Sequence, residues 1–280
     1  MKHENQEFSG GGGLRLQAQS WQPAGSPHAA VAIVHGVGEH SGRYADLASH
    51  LVHHGFAVLG FDHRGHGRSP GRRGHIDTWL DYREDVRAFV RHCTQVASGS
   101  PLFLYGHSMG ALIALDYAIA HPEGLAGLIV SGVPLQPTGV AKAHLVAIAR
   151  ILSRIVPAFS ISLGLDEKGI SRDPAVIEAY RRDPLVHSLV SMRWGTEILA
   201  AIDRVRLLAS TIALPLLVVH GGADPINSPD GSRELFDAAT STDKSLHLYP
   251  GGLHEPHNDL DRSLVFQDVE QWLTHRAVGD

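Results

Sequence analysis

A serine set between glycines, Gly106-His107-Ser108-Met109-Gly110, is the stretch of this sequence best equipped for chemistry. A serine hydroxyl is a weak nucleophile at neutral pH. It needs a general base, and the base needs a carboxylate to orient it. Gly-x-Ser-x-Gly is common by chance in a chain with 30 glycines, so its surroundings carry the weight. Residues 102–105, Leu-Phe-Leu-Tyr, suit a buried strand, and residues 111–120 are good helix formers throughout. The serine therefore falls on a sharp strand-to-helix turn, which lifts its hydroxyl above the sheet at a helix N-terminus. The flanking glycines leave room for a strained backbone.

The partners should lie on loops leaving later strands, because ligands bind at the carboxyl edge of a parallel sheet. On such a scaffold they follow the serine in the order acid, then histidine. After the apolar run 216–220, Asp224 is the first carboxylate; after the run 245–249, His254 is the first histidine. Both stand in the required order. Asp224-Pro225 also reads as a plain turn start, His257 is a rival base, and Asp230 and Glu255 are rival carboxylates. Asp62 and His66 precede the serine and read as parts of a loop shaping the sheet edge. An oxyanion hole needs two backbone N–H groups. Met109, after the nucleophile, supplies one, and the loop His35-Gly36-Val37-Gly38 supplies the other, with Val37 as the donor.

The elements that position these groups follow from the apolar pattern. Residues 14–21 alternate as an edge strand would, whereas 30–34, 57–62, 125–131 and 216–220 are nearly continuous apolar runs suited to strands buried on both faces. Helical stretches at 44–54 and 81–97 alternate with them, which argues a mostly parallel, doubly wound α/β sheet. From 134 to 203 the rhythm changes. No strand is evident there, an apolar helical stretch spans 141–156, and Pro157, Pro174 and Pro184 punctuate it. The expected organisation is a flexible N-terminal segment 1–13, a core built from 14–133 and 204–280, and a helical cap at 134–203.

With 280 residues, 43% of them hydrophobic, the chain can bury roughly three quarters of its unfolded surface. A net charge of −5 without a basic stripe excludes a nucleic-acid partner. The polar start of the chain has no signal-peptide core, and no run of 18 apolar residues occurs, so a cytoplasmic protein without a membrane span is expected. The single cysteine, Cys93, fits that compartment and reads as a buried helical thiol. His63 with His66, and His50, His53 and His54 on one helix, include spacings a zinc ion accepts. No cysteine or carboxylate joins them at ligand spacing in the sequence, and the 35–38 loop lacks the third glycine of a dinucleotide site. Neither a metal nor an organic cofactor is expected.

Three stretches taken together resemble one branch of the α/β-hydrolase superfamily, that of monoacylglycerol lipases and lysophospholipases with a serine aminopeptidase S33-like domain. They are residues 35–44 (His-Gly-Val-Gly-Glu-His-Ser-Gly-Arg-Tyr), 62–69 (Asp-His-Arg-Gly-His-Gly-Arg-Ser) and the serine turn 106–110. Ser171-Arg172-Asp173 and Asp183-Pro184-Leu185 look like that family's cap. Ala111 departs from the pattern, where many relatives carry a further glycine. The resemblance implies Ser108 as nucleophile, Asp224 as orienter, His254 as base, and Val37 and Met109 as oxyanion donors. It implies hydrolysis of single-chain lipid esters through an acyl-enzyme. A lysophospholipase or broad esterase is the nearest alternative; an amidase, peptidase, acyltransferase or carbon–carbon hydrolase, or a non-catalytic binder, lies further off. Leu145, Val146, Ile148, Ile151, Leu152, Ile155 and Val156 are expected to line or cover an acyl channel. Lys142, Arg150 and Arg154 suit a transient contact of the cap with a lipid surface.

Overall fold

The computed structural model describes residues 1–97, 99–138 and 143–277, with the backbone alone at 143–146 and 148. An eight-stranded sheet runs through the molecule. Its strands are β1 (Lys2–Ser9), β2 (Arg15–Gln22), β3 (Ala30–Val34), β4 (Ala57–Phe61), β5 (Leu102–His107), β6 (Gly127–Ser131), β9 (Leu216–Gly221) and β10 (Lys244–Tyr249). Their spatial order is β1-β2-β4-β3-β5-β6-β9-β10. β4, β3, β5, β6, β9 and β10 run parallel, and β2 joins β4 antiparallel.

β3, β4, β5, β6 and β9 are buried along their whole length, as their unbroken apolar sequences require. Helices α1 (Ala45–His53), α2 (Leu80–Val96), α3 (Met109–Ala120), α7 (Pro229–Ala238) and α8 (Arg262–Ala277) cover the two faces. α3 is buried on almost every side, which explains why its apolar residues show no stripe. Register sets the site: Val34 of β3 pairs with Gly106 of β5, and His107 with Ser131 of β6, so their loops emerge side by side at one edge.

Two sequence-based expectations need correction. Residues 2–9, expected to belong to a flexible segment, form β1, the true sheet edge, paired along its whole length with β2. Phe8 anchors it, packing against Phe61 and Phe89, while His3 stacks on Trp21. The strand is polar on its outer face, so composition alone reads it as unstructured. In the cap, α4 (Ala143–Ile155), α5 (Pro174–Arg182) and α6 (Met192–Leu208) are joined by a small antiparallel ladder of β7 (Ser160–Ser162) and β8 (Leu189–Ser191). These strands are too short to leave a periodic signature. α6 runs unbroken through Asp203, where the cap was expected to end, and buries Ala201, Ile202 and Val205 in the main core.

Candidate active site

The serine turn is as tight as its glycines suggested. A Cβ on Gly106 would lie 2.4 Å from the Gly110 carbonyl oxygen, and one on Gly110 would lie 2.0 Å from that of Val34. Ser108 itself takes φ 53° and ψ −121°, the only positive φ outside glycine among the described residues. Such strain persists only where the surroundings enforce it. Here the Ser108 N–H bonds to Ser131 O at 2.9 Å, while its carbonyl accepts the first bonds of α3.

Three side chains from three loops meet at this turn. The Ser108 hydroxyl lies 3.0 Å from His254 Nε2, and His254 Nδ1 lies 2.7 Å from Asp224 Oδ2. An ionised carboxylate can only accept, so Nδ1 carries the proton and Nε2 is the free base facing the hydroxyl. Burial works against charge on His254, yet the Asp224 carboxylate outweighs it and raises the imidazole pKa. Burial likewise opposes charge on Asp224, and His254 and His220 overcome it, leaving the carboxyl strongly acidic.

Asp224 is held by groups that sequence reasoning did not single out. Its Oδ1 accepts the N–H groups of Ile226 at 2.8 Å and Asn227 at 3.1 Å. Its Oδ2 accepts a second imidazole, His220 Nε2, at 3.0 Å, and Ser232 Oγ donates to His220 Nδ1 at 2.6 Å. The signal available was His220 at the end of its strand, four residues before Asp224. The rivals lie elsewhere. His257 is buried against Tyr44, with ring centroids 4.7 Å apart, and burial pushes its pKa down to about 4. Asp230 is exposed beside Arg233, and Glu255 is locked onto Arg43 at 2.6 Å and 2.7 Å. Asp62 caps Ser41 and Arg68 N–H groups in the adjoining loop, and His66 lies buried near His35.

Val37 and Met109 both border the space in front of Ser108, and neither N–H has a hydrogen-bond partner among the described residues. The Val37 loop is fixed on both sides: Gly36 N–H donates to Glu39 Oε1 at 2.6 Å, and His187 N–H to Gly38 O at 2.8 Å. Under it, His35 accepts the His63 N–H at 2.9 Å, and burial lowers the pKa of both rings.

Two spaces open from Ser108. One is a cavity of about 340 Å³, walled by Leu163, Leu165, Trp194, Ile198, Ile202 and Ile226. Its apolar wall comes from α6 and the 163–165 segment. Of the residues expected to line or cover it, Ile151, Leu152 and Ile155 of α4 and the following Val156 do not line it, while Lys142 and the side chains of Leu145, Val146 and Ile148 lie outside the described residues. α4 instead packs on α6 through Ser153 and Thr196 and turns Ile151 and Ile155 to solvent. The second is a small recess of about 20 Å³ beside the triad, bounded by Glu39, Tyr180, His107 and Glu255 together with Leu165, Ile170 and Ile226. The Arg43 guanidinium lies behind it, paired with both glutamates and stacked on Tyr180. Burial opposes the charge on Glu255, but Arg43 brings its pKa down to about 2.

A family model described as serine aminopeptidase, S33, matches residues 25–261. The chain belongs to this family. A monoacylglycerol lipase of Mycolicibacterium smegmatis is 34% identical to this S33-family chain over 267 residues, 95% of each. Human monoglyceride lipase is 33% identical over 271 residues, covering 95% of this chain and 89% of the relative. Among solved structures, a soluble variant of monoglyceride lipase from Saccharomyces cerevisiae, in complex with a substrate analog, superposes with a TM-score of 0.90 at 29% identity. That match covers 100% of this chain and 97% of the other. Paleococcus ferrophilus monoacylglycerol lipase gives a TM-score of 0.84 at 33% identity, covering 99% and 100%. The fold is that of the α/β-hydrolases.

Proposed function

We propose that this S33-family protein is a serine carboxylester hydrolase that cleaves monoacylglycerols through an acyl-enzyme. The observation that carries the reading is the unbroken relay Ser108–His254–Asp224 at the mouth of an apolar cavity. His254 Nε2 takes the Ser108 proton as Oγ attacks the ester carbonyl. The Val37 and Met109 N–H groups receive the oxyanion, each contributing about 10²-fold or more in rate. The imidazolium, stabilised by Asp224, then protonates the departing alcohol. Water enters by the same base and releases the fatty acid.

The 340 Å³ cavity accepts the acyl chain, with the glyceryl group left at the mouth of the small recess beside Glu39 and Glu255. Charge favours a neutral head group over a phosphorylated one. Arg43 is bound by Glu39 and Glu255, and Arg181 by Glu167, so neither cation near the recess is free for a phosphate. The outward face of α4 carries Ile151 and Ile155 beside Arg150 and Arg154, an arrangement suited to brief contact with a lipid surface. No helix among the described residues is long and apolar enough to cross a membrane. The single buried thiol, Cys93, supports a cytoplasmic setting.

The test is turnover of a monoacylglycerol by purified protein, with Ser108→Ala alongside. Loss of about 10⁵-fold or more in kcat is expected for the variant, together with loss of labelling by a fluorophosphonate. Wild-type turnover in the variant sinks the nucleophile assignment, and an inert wild type sinks the reading as an esterase.

A further inference from the structure

On the face of the molecule where α1 packs beside α8, three metal-ligating side chains meet on the seam. His50 and His54 stand one helical turn apart on α1, and Glu270 comes from α8. Ligand atoms from all three lie within 4.8 Å of one another. The i, i+4 spacing places both imidazoles on one helix face, with ring centroids 4.4 Å apart. Only the fold brings the carboxylate to them.

Each group has a lone pair to give. His54 Nδ1 donates to the His50 carbonyl at 2.9 Å, which fixes the tautomer and leaves Nε2 as a bare acceptor. His50 Nε2 is buried and has no hydrogen-bond partner among the described residues. Its ring rests near Phe266, 5.5 Å between centroids, which holds it against the seam. That nitrogen is therefore not committed to another group. Glu270 Oε1 accepts the Thr274 hydroxyl at 2.8 Å, so the carboxylate is oriented and its second oxygen is available.

We propose that His50, His54 and Glu270 bind a divalent transition metal of the zinc class, which ties α1 to α8. Two imidazoles and a carboxylate, with water as fourth ligand, form a tetrahedral set that suits Zn²⁺; Mg²⁺ and Ca²⁺ prefer all-oxygen shells. Tetrahedral coordination at 2.0–2.1 Å needs ligand atoms about 3.3 Å apart. Reaching that spacing from within 4.8 Å calls for side-chain rotation of the exposed His54 and half-buried Glu270. None of the three borders the cavities at Ser108, so the ion does not act on the ester. Its effect is mechanical. α1 follows the segment bearing the Val37 loop, and α8 follows the loop bearing His254, so one ion fastens both segments from outside.

The experiment uses tag-free, chelator-stripped full-length protein titrated with zinc chloride by calorimetry and followed by thermal melting. One equivalent of zinc is expected, with a rise in Tm of about 4–8 °C at a free concentration a hundredfold above Kd. Glu270→Gln and His54→Gln should each weaken binding by about tenfold or more, and magnesium should give no shift. Each variant is compared with and without zinc, so a lower starting Tm does not obscure the result. With 20 histidines in the chain, zinc can bind elsewhere. The proposal falls if wild type shows no zinc-dependent shift, or if both variants bind zinc as tightly as wild type.

Discussion

At the sheet edge each group of the proposed triad is held by a partner that is itself held; on the cap, several large apolar side chains touch water. Asp224 receives four hydrogen bonds, from His254, His220 and two backbone N–H groups. The Val37 loop is pinned through Glu39 and His187. Across the cavity, Ile155 is 70% exposed, Ile151 57% and Phe159 56%. Polar networks of the first kind rigidify and fix one geometry. An apolar surface of the second kind fixes none until something covers it. Under the proposed function, the contrast would put the reaction on the floor and the choice and delivery of substrate on the cap. Floor substitutions should therefore lower turnover of every ester, and cap substitutions should discriminate among esters.

The largest effect separating the two regions is expected from Asp224→Asn. An amide in place of the carboxylate permits the wrong imidazole tautomer, and kcat should fall by about 10⁴-fold for short and long acyl chains alike. The pH profile gives the sign. Burial lowers the His254 pKa and Asp224 more than restores it, so the group sits above its ordinary 6.5. The base must be neutral, so kcat/KM rises with pH through that raised value. In Asp224→Asn the acid limb should move to lower pH. The contribution of the raised His254 pKa to stability is full below pH 6.5 and fades as pH rises through the folded-state pKa, while that of the lowered Asp224 pKa is present above pH 3.8 and fades as pH falls below it. An unshifted limb, or a loss confined to long-chain esters, would break the division between floor and cap.

The floor was readable in the sequence because strand ends announce it. Ser108, Asp224 and His254 each follow an apolar run at the distance a parallel sheet demands, and the glycines of the turn are forced by contacts of 2.4 Å and 2.0 Å. What stayed hidden depends on distant packing. β1 is polar and owes its order to Phe8 meeting Phe61 and Phe89. α4 is visibly amphipathic, but its pattern does not say whether the apolar side meets the cavity or solvent, and α6 takes the cavity instead. His50 and His54 are visible as a pair, whereas Glu270 joins them only once α8 packs on α1.

A smaller and more selective effect is expected from Gly195→Phe on α6. Gly195 borders the acyl cavity, and a Cβ there meets nothing within 4 Å. Its backbone φ is not among the positive values, so the helix accepts the side chain. The ring then fills volume the distal carbons of a long chain would occupy. Hydrolysis of long-chain monoacylglycerols should fall by about a hundredfold, while a two- to four-carbon ester should be unaffected, since each displaced methylene is worth about 10-fold or more. A rate profile across acyl lengths reads this directly. Equal losses at every length would show that this cavity does not hold the chain.

The weakest effect, and the one most specific to the cap, concerns Ile155→Asp. The side chain is 70% exposed and borders neither cavity, so folding should change by no more than about 0.5 kcal/mol and a soluble nitrophenyl ester should be cleaved at the wild-type rate. At a lipid surface the balance differs. An isoleucine leaving water contributes about 2 kcal/mol, and a carboxylate replaces it with a group that repels anionic head groups. Arg150 and Arg154 on the same turns can no longer act unopposed. Activity on monoacylglycerol held in anionic vesicles should then drop by about tenfold, with less protein sedimenting with the vesicles. If the vesicle rate is unchanged, substrate reaches Ser108 without help from this face. A loss on the soluble ester as well would place α4 within the catalytic machinery and remove the distinction between floor and cap.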